Sequence, residues 1–88
     1  MKLMIFTQDG CPNCPTAKKL GKQLEEEGAT VEWYDLDEEE GLTEAVFYDV
    51  LSTPSILVAD KQNEIKKAWR GDVPSIIDLK KALNGTTK

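Results

Sequence analysis

The segment Cys11-Pro12-Asn13-Cys14 holds the clearest chemistry in this sequence. Two thiols separated by two residues can close a small disulfide ring on one helical turn and reopen it. At a strand-to-helix junction such a pair reads as a redox centre. The apolar run Leu3-Met4-Ile5-Phe6 precedes it, and a stretch with helical spacing follows it. This placement sets the first sulfur at a helix N-terminus, where unpaired backbone N–H groups and the helix dipole favour a thiolate over a thiol. The sequence has no histidine to act as a base. Activation therefore falls to the dipole, to local N–H donors and to Lys18, whose plainer reading is a solvated position on the helix.

Composition narrows the class. Eighty-eight residues, 40% of them hydrophobic, suit one domain over residues 1–88 with one core. Two cysteines are too few for a secreted disulfide scaffold. A bridge between them closes a very short loop and removes little chain entropy, which points to chemistry rather than stabilisation. The net charge of −5 argues against a nucleic-acid partner, whose phosphates need a basic patch. A secretory signal needs roughly 7–15 apolar residues and a small-residue cleavage site, and a membrane span needs about 20. The N-terminal run stops at Gln8-Asp9-Gly10. No membrane partner is expected, and the expected setting is the cytoplasm, where a lone disulfide is usually catalytic. Zinc normally takes four ligands and an iron–sulfur cluster usually four cysteines, so neither a metal nor another cofactor is expected unless a dimer pools its thiols. A monomer is expected.

The elements that must position the cysteines follow from the pattern. Lys2–Thr7 reads as a strand buried on both faces. Cys14, Ala17, Leu20, Gly21 and Leu24 recur at helical steps, with Pro12 suited to the first helical position and Gly28 to the stop. Pro15, also in the first turn, lacks an N–H to offer the Cys11 carbonyl. Thr30–Leu36 reads as a second strand with Val31, Trp33 and Asp35 on one face. Residues 37–41 read as a charged loop, and Leu42, Ala45, Val46 and Val50 as a short helix. Ser55–Ala59 is a third, well-buried strand, Asp60–Asn63 a hairpin connection, and Glu64–Trp69 an edge strand whose Lys66-Lys67 pair discourages further pairing. Pro74, Ile76, Ile77, Leu79 and Leu83 mark a last helix ending near Gly85. The order is β-α-β-α-β-β-α, with no repeat or linker. It implies an α/β fold with a four-stranded mixed sheet and helices on both faces. Strands one and two are expected to be parallel, and three and four antiparallel. In such sheets sites gather beyond the carboxyl ends of parallel strands, where Cys11 falls.

A second signal is Ser52-Thr53-Pro54-Ser55 before the third strand. A trans proline ending a loop is its ordinary reading. A cis bond at Thr53–Pro54 would instead offer the Thr53 backbone N–H and C=O to an extended substrate segment, as an added strand.

Taken together, the CPxC pair, the Val50-x-Ser52-x-Pro54 turn, the hairpin, the glycine after strand four and the final helix resemble the thioredoxin-fold redoxins over nearly the whole chain. The short length and the Ala17-Lys18 that follows CPNC are similar to the glutaredoxin branch. The resemblance implies a protein-disulfide oxidoreductase with Cys11 as the exposed nucleophile and Cys14 as the buried resolving thiol. It implies that Pro54 is cis, and that Pro12, Asn13, Thr53, Pro54, Gly71 and Asp72 meet the substrate. Glutathione-binding glutaredoxins usually carry a lysine shortly before the first cysteine and a Gly-Gly-x-x-Asp-like segment after strand four. Here Thr7-Gln8-Asp9-Gly10 precedes Cys11, and Trp69-Arg70-Gly71-Asp72-Val73-Pro74 follows strand four. Asp9 repels anionic glutathione, and Arg70 is either a compensating charge or a surface residue. Asp72 either binds a ligand amine or, more plainly, caps the last helix. Trp69-x-Gly71-x-x-Pro74 resembles the NrdH-type redoxins, which take electrons from thioredoxin reductase and pass them to ribonucleotide reductase. The expected donor is thus a thioredoxin-reductase-type enzyme, with glutathione as the alternative, and the expected substrates are disulfide-containing proteins such as ribonucleotide reductase. The Trp69 ring also has a plain reading as a cover over one end of the sheet. Two rivals remain: a cluster-bridging redoxin, and a non-catalytic interaction module docking through Trp33, Tyr34 and Tyr48.

Overall fold

Leu3, Met4, Ile5 and Phe6 are each no more than 1% exposed, because β1 (Lys2–Thr7) lies inside the sheet with helices over both faces. The computed structural model describes residues 1–84. Its remaining elements are α1 (Cys14–Glu26), β2 (Thr30–Asp35), α2 (Glu39–Phe47), β3 (Ser55–Ala59), β4 (Ile65–Arg70) and α3 (Ile76–Leu83). The strand order is β2-β1-β3-β4. β1 runs parallel to β2 and antiparallel to β3, and β4 is antiparallel to β3 at the edge. This is the β-α-β-α-β-β-α mixed sheet that the sequence predicts.

Alternation along the central strands divides the core in two. Leu3, Ile5, Ile56 and Val58 point to one face, under Ala17 and Leu24 of α1 and Leu79 of α3. Met4, Phe6, Leu57 and Ala59 point to the other, against Ala45 of α2 and Val50. Burial of each large side chain contributes roughly 1.5–3 kcal/mol. Trp33 and Trp69 pack at the margin of the first cluster and Tyr34 at that of the second. The Tyr34 ring stacks on Phe6 at 5.0 Å between centroids, and its hydroxyl donates to Glu32 Oε1 at 2.8 Å. Burial, then the Glu32 carboxylate, holds the Tyr34 phenol well above the usual tyrosine range.

Helix boundaries depart from the sequence expectation at three places. α1 begins at Cys14 with Asn13 as its cap residue, and Pro15 rather than Pro12 fills the early helical position. Two prolines compete for one first turn, and the helix starts late enough to leave Pro12 in the preceding turn. Glu39, Glu40 and Gly41, expected in a loop, form the first turn of α2, where two carboxylates suit the positive end of the dipole. α3 is capped by Ser75, whose Oγ accepts from the Asp78 N–H at 3.1 Å. Asp72, the expected cap, instead accepts from the neighbouring Val73 N–H at 2.9 Å. Gly28 ends α1 with φ 100° as expected, whereas Gly85, the expected stop of the last helix, lies outside the described residues.

No helix among the described residues is long and apolar enough to cross a membrane.

Candidate active site

Strand register brings three loops to one end of the sheet. Phe6, near the end of β1, pairs with Ser55 at the start of β3, and Ser55 pairs with Arg70 at the end of β4. The turn that carries Cys11, the segment leading into Pro54 and the segment beginning at Gly71 therefore all leave the sheet at this end.

Cys11 and Cys14 are joined by a disulfide, with their Cα atoms 5.4 Å apart. Cys14, the first residue of α1, is 4% exposed, whereas Cys11 is half-buried at the surface. The late helix start changes the expected position of the first sulfur. Cys11 lies three residues before α1, and it reaches the helix N-terminus by its bond to the Cys14 sulfur. The Cys11 carbonyl, which Pro15 cannot serve, accepts the Cys14 N–H at 3.3 Å instead. The ring is thus closed by one covalent bond and one turn hydrogen bond. A cysteine pair of this kind interconverts between dithiol and disulfide by thiol exchange.

The electrostatics around this turn are acidic. The Asp9 backbone N–H donates to Asp37 Oδ2 at 2.9 Å, which draws a second carboxylate beside the residues preceding Cys11. Lys18 is exposed on α1, as its plain reading requires.

The scan against protein families matches residues 1–84 to the family described as "Thioredoxin domain". This chain belongs to the thioredoxin family. A "Probable Thioredoxin" of Archaeoglobus fulgidus is 33% identical over 60 residues, which cover 67% of this thioredoxin-family chain and 66% of that protein. The match therefore spans just under two thirds of the relative. Among solved structures, a thioredoxin pre-protein of Schistosoma mansoni superposes with TM-score 0.73 at 25% identity, over 96% of this chain and 78% of that one. An uncharacterized thioredoxin-like protein of Clostridium perfringens gives TM-score 0.79 at 23% identity, over 96% and 68%. The fold is that of thioredoxin, as the sequence resemblance implies.

The other residues named from this resemblance are placed as follows. Pro12 and Asn13 are exposed in the turn between the sulfurs. The Thr53–Pro54 bond is cis, with Pro54 buried and Thr53 half-buried. Gly71 has φ 76° and lies so close to the Pro54 loop that a Cβ there would sit 2.8 Å from Ser52 Oγ. Asp72 is exposed, its carboxylate engaged by Val73. Trp33 and Tyr34 pack against the core, which leaves little of the aromatic docking surface considered from the sequence.

Two further residues organise this end of the molecule. Ser55 is fully buried. Its Oγ donates to the Ser52 carbonyl at 2.7 Å and accepts from the Gly71 N–H at 3.2 Å, tying the loop before β3 to the loop after β4. Arg70 donates from Nε to the Asp49 carbonyl at 3.1 Å and from its terminal NH2 group to the Tyr48 carbonyl at 3.0 Å. Ser55 left a trace in the sequence, as the polar residue in an otherwise apolar run. Arg70, read from the sequence as a compensating charge or a surface residue, gave no sign of this bracing role, because its partners are backbone atoms more than 20 residues away. Ser55→Ala removes both of these hydrogen bonds, each worth about 0.5–1.5 kcal/mol, so a total cost of about 1–3 kcal/mol is expected in a urea titration. Ser55→Thr keeps the hydroxyl and is expected to recover part of that loss.

Proposed function

We propose that this chain is a small thiol–disulfide oxidoreductase that reduces disulfides in protein substrates. The observation that carries this reading is the Cys11–Cys14 disulfide, with one sulfur-bearing residue half-buried and the other enclosed. In the reduced chain the Cys11 thiolate attacks one sulfur of a substrate disulfide, and the other substrate sulfur leaves as a thiolate that takes a proton from water. Cys14, deprotonated in turn, attacks Cys11 Sγ and expels the second substrate thiolate. Two electrons pass to the substrate, and the chain is left with the bridged pair. Pro12 and Asn13 flank the attacked bond. Thr53 offers backbone groups to the substrate segment, Pro54 shapes the wall beside it, and Gly71 and Asp72 form the opposite margin.

We infer further that a thioredoxin-reductase-type enzyme regenerates the dithiol, that the setting is a reducing cytoplasm, and that substrates include ribonucleotide reductase, in line with Trp69-x-Gly71-x-x-Pro74. Two observations favour this donor over glutathione. The carboxylates of Asp9 and Asp37 stand near the cysteine turn and oppose an anionic tripeptide. The Arg70 guanidinium is engaged by the carbonyls of Tyr48 and Asp49.

Disulfide turnover with NADPH and thioredoxin reductase is expected to exceed turnover with glutathione and glutathione reductase at least about tenfold, or ~1.4 kcal/mol in activation free energy. Faster turnover with glutathione overturns the choice of donor.

A further inference from the structure

α2 presents an apolar surface that nothing in the described chain covers. Gly41 and Ala45 take its buried side. Leu42 is 50% exposed, Val46 70%, Phe47 76% and, just beyond the helix, Leu51 87%. The surface is rigidly presented. The Val50 N–H donates to the Ala45 carbonyl at 2.7 Å and the Asp49 N–H to the Val46 carbonyl at 3.2 Å. Arg70 holds the carbonyls of Tyr48 and Asp49, and the Phe47 ring stands edge-on to Tyr48 at 4.9 Å.

The frame of this surface is acidic. No lysine or arginine occurs between Lys22 and Lys61, while Asp37, Glu38, Glu39, Glu40, Glu44 and Asp49 lie on α2 or beside it. The ion pairs Lys2–Glu32, Lys66–Asp60, Lys66–Glu64 and Lys80–Glu27 are elsewhere. Leu51 stands three residues before Pro54, so the surface is continuous with the end of the sheet that holds the cysteines. Its charge opposes an isologous contact with a second copy, which would set like charges face to face.

We infer that the outer face of α2 with Leu51 docks the protein partner in disulfide exchange, through a segment that combines an apolar side chain with lysine or arginine. This deepens the proposed function and rests on it. The acidic frame steers the basic segment, and the apolar surface retains it.

Three disulfides test the inference on the reduced full-length chain. They are a peptide disulfide flanked by leucine and lysine, its counterpart flanked by serine and glutamate, and the small uncharged dithiodipyridine. The leucine–lysine peptide is expected to show at least about tenfold higher kcat/KM than its counterpart, through KM, with the gap narrowing as salt rises. Phe47→Ser combined with Leu51→Ser is expected to abolish most of that preference and leave the dithiodipyridine rate unchanged. Glu39→Lys with Glu40→Lys is expected to shift the preference toward the acidic peptide. Equal use of both peptides by the wild type, with dithiodipyridine still reduced, overturns the docking face alone. Failure with all three disulfides overturns the redox reading and the docking face with it. A wild-type dimer in sedimentation that the serine pair converts to monomer assigns the face to self-association, which also overturns the inference.

Discussion

Cys11→Ser is expected to abolish disulfide exchange, and Cys14→Ser is expected to stall it with the substrate covalently attached. The two outcomes differ because the sulfurs have different access. Cys11 is half-buried at the surface, and Cys14 is 4% exposed. A serine hydroxyl does not ionise near neutral pH, so Cys11→Ser lacks the nucleophile and the first bond never forms. In Cys14→Ser the first attack proceeds, but no thiolate remains to attack Cys11 Sγ, so the mixed disulfide accumulates. Non-reducing electrophoresis with mass spectrometry of the adduct reads both results, and an adduct that forms through Cys14 in Cys11→Ser reverses the roles. Folding is a separate readout. Closure of so short a loop removes about 2 kcal/mol of unfolded-state entropy at most, and reduction removes that contribution from the wild type as well. Reduced wild type and Cys11→Ser are therefore expected to unfold at nearly the same urea concentration, which would attribute the loss of exchange to chemistry rather than to misfolding.

The sequence makes the central strands and the cysteine turn legible for one reason: both are encoded locally. Leu3 to Phe6 and Ile56 to Ala59 are unbroken apolar runs, and such runs form strands covered on both faces. Cys11 and Cys14 declare themselves by spacing. Choices settled between distant segments are less legible. The start of α1 depends on which of two prolines the first turn accepts, and Pro15 is the one inside it. Leu42 and Val46 have the spacing of an inward face, yet Gly41 and Ala45 take that side. Small residues let α2 approach the sheet closely, and the larger ones turn outward as a result. The hydrogen bonds of Ser55 and Arg70 join segments that only the tertiary fold brings together. Local pattern therefore reveals the sulfur pair, whereas the frame that holds the loops around it becomes visible only in three dimensions.

Gly41→Ala is expected to be the most damaging small change outside the cysteine pair. Gly41 lies in the first turn of α2 and is buried against the end of β2. A Cβ built there overlaps the backbone carbonyl and amide nitrogen of Asp35. The obstacle is main chain rather than a flexible side-chain tip, so relief requires α2 to move away from the sheet. That displacement would open the cluster in which Ala45 and Val50 meet Met4, Phe6 and Leu57. It would also pull on the Tyr48 and Asp49 carbonyls that Arg70 holds. Overpacking costs typically 1–3 kcal/mol and more where the backbone must shift, so a loss of about 3 kcal/mol or more is expected. That is a large share of the roughly 5–10 kcal/mol available to a small domain. The helix itself gains from the change, since alanine is intrinsically favoured over glycine by about 1 kcal/mol. A urea titration decides between the two effects: a lowered midpoint shows that the close contact of α2 with β2 dominates, and a raised one refutes it. Thr43→Ala on the same helix is the control, because Thr43 is exposed and its replacement creates no overlap. Its Oγ1 donates only to the Glu39 carbonyl one turn back, at 2.9 Å, so its midpoint is expected to stay close to that of the wild type.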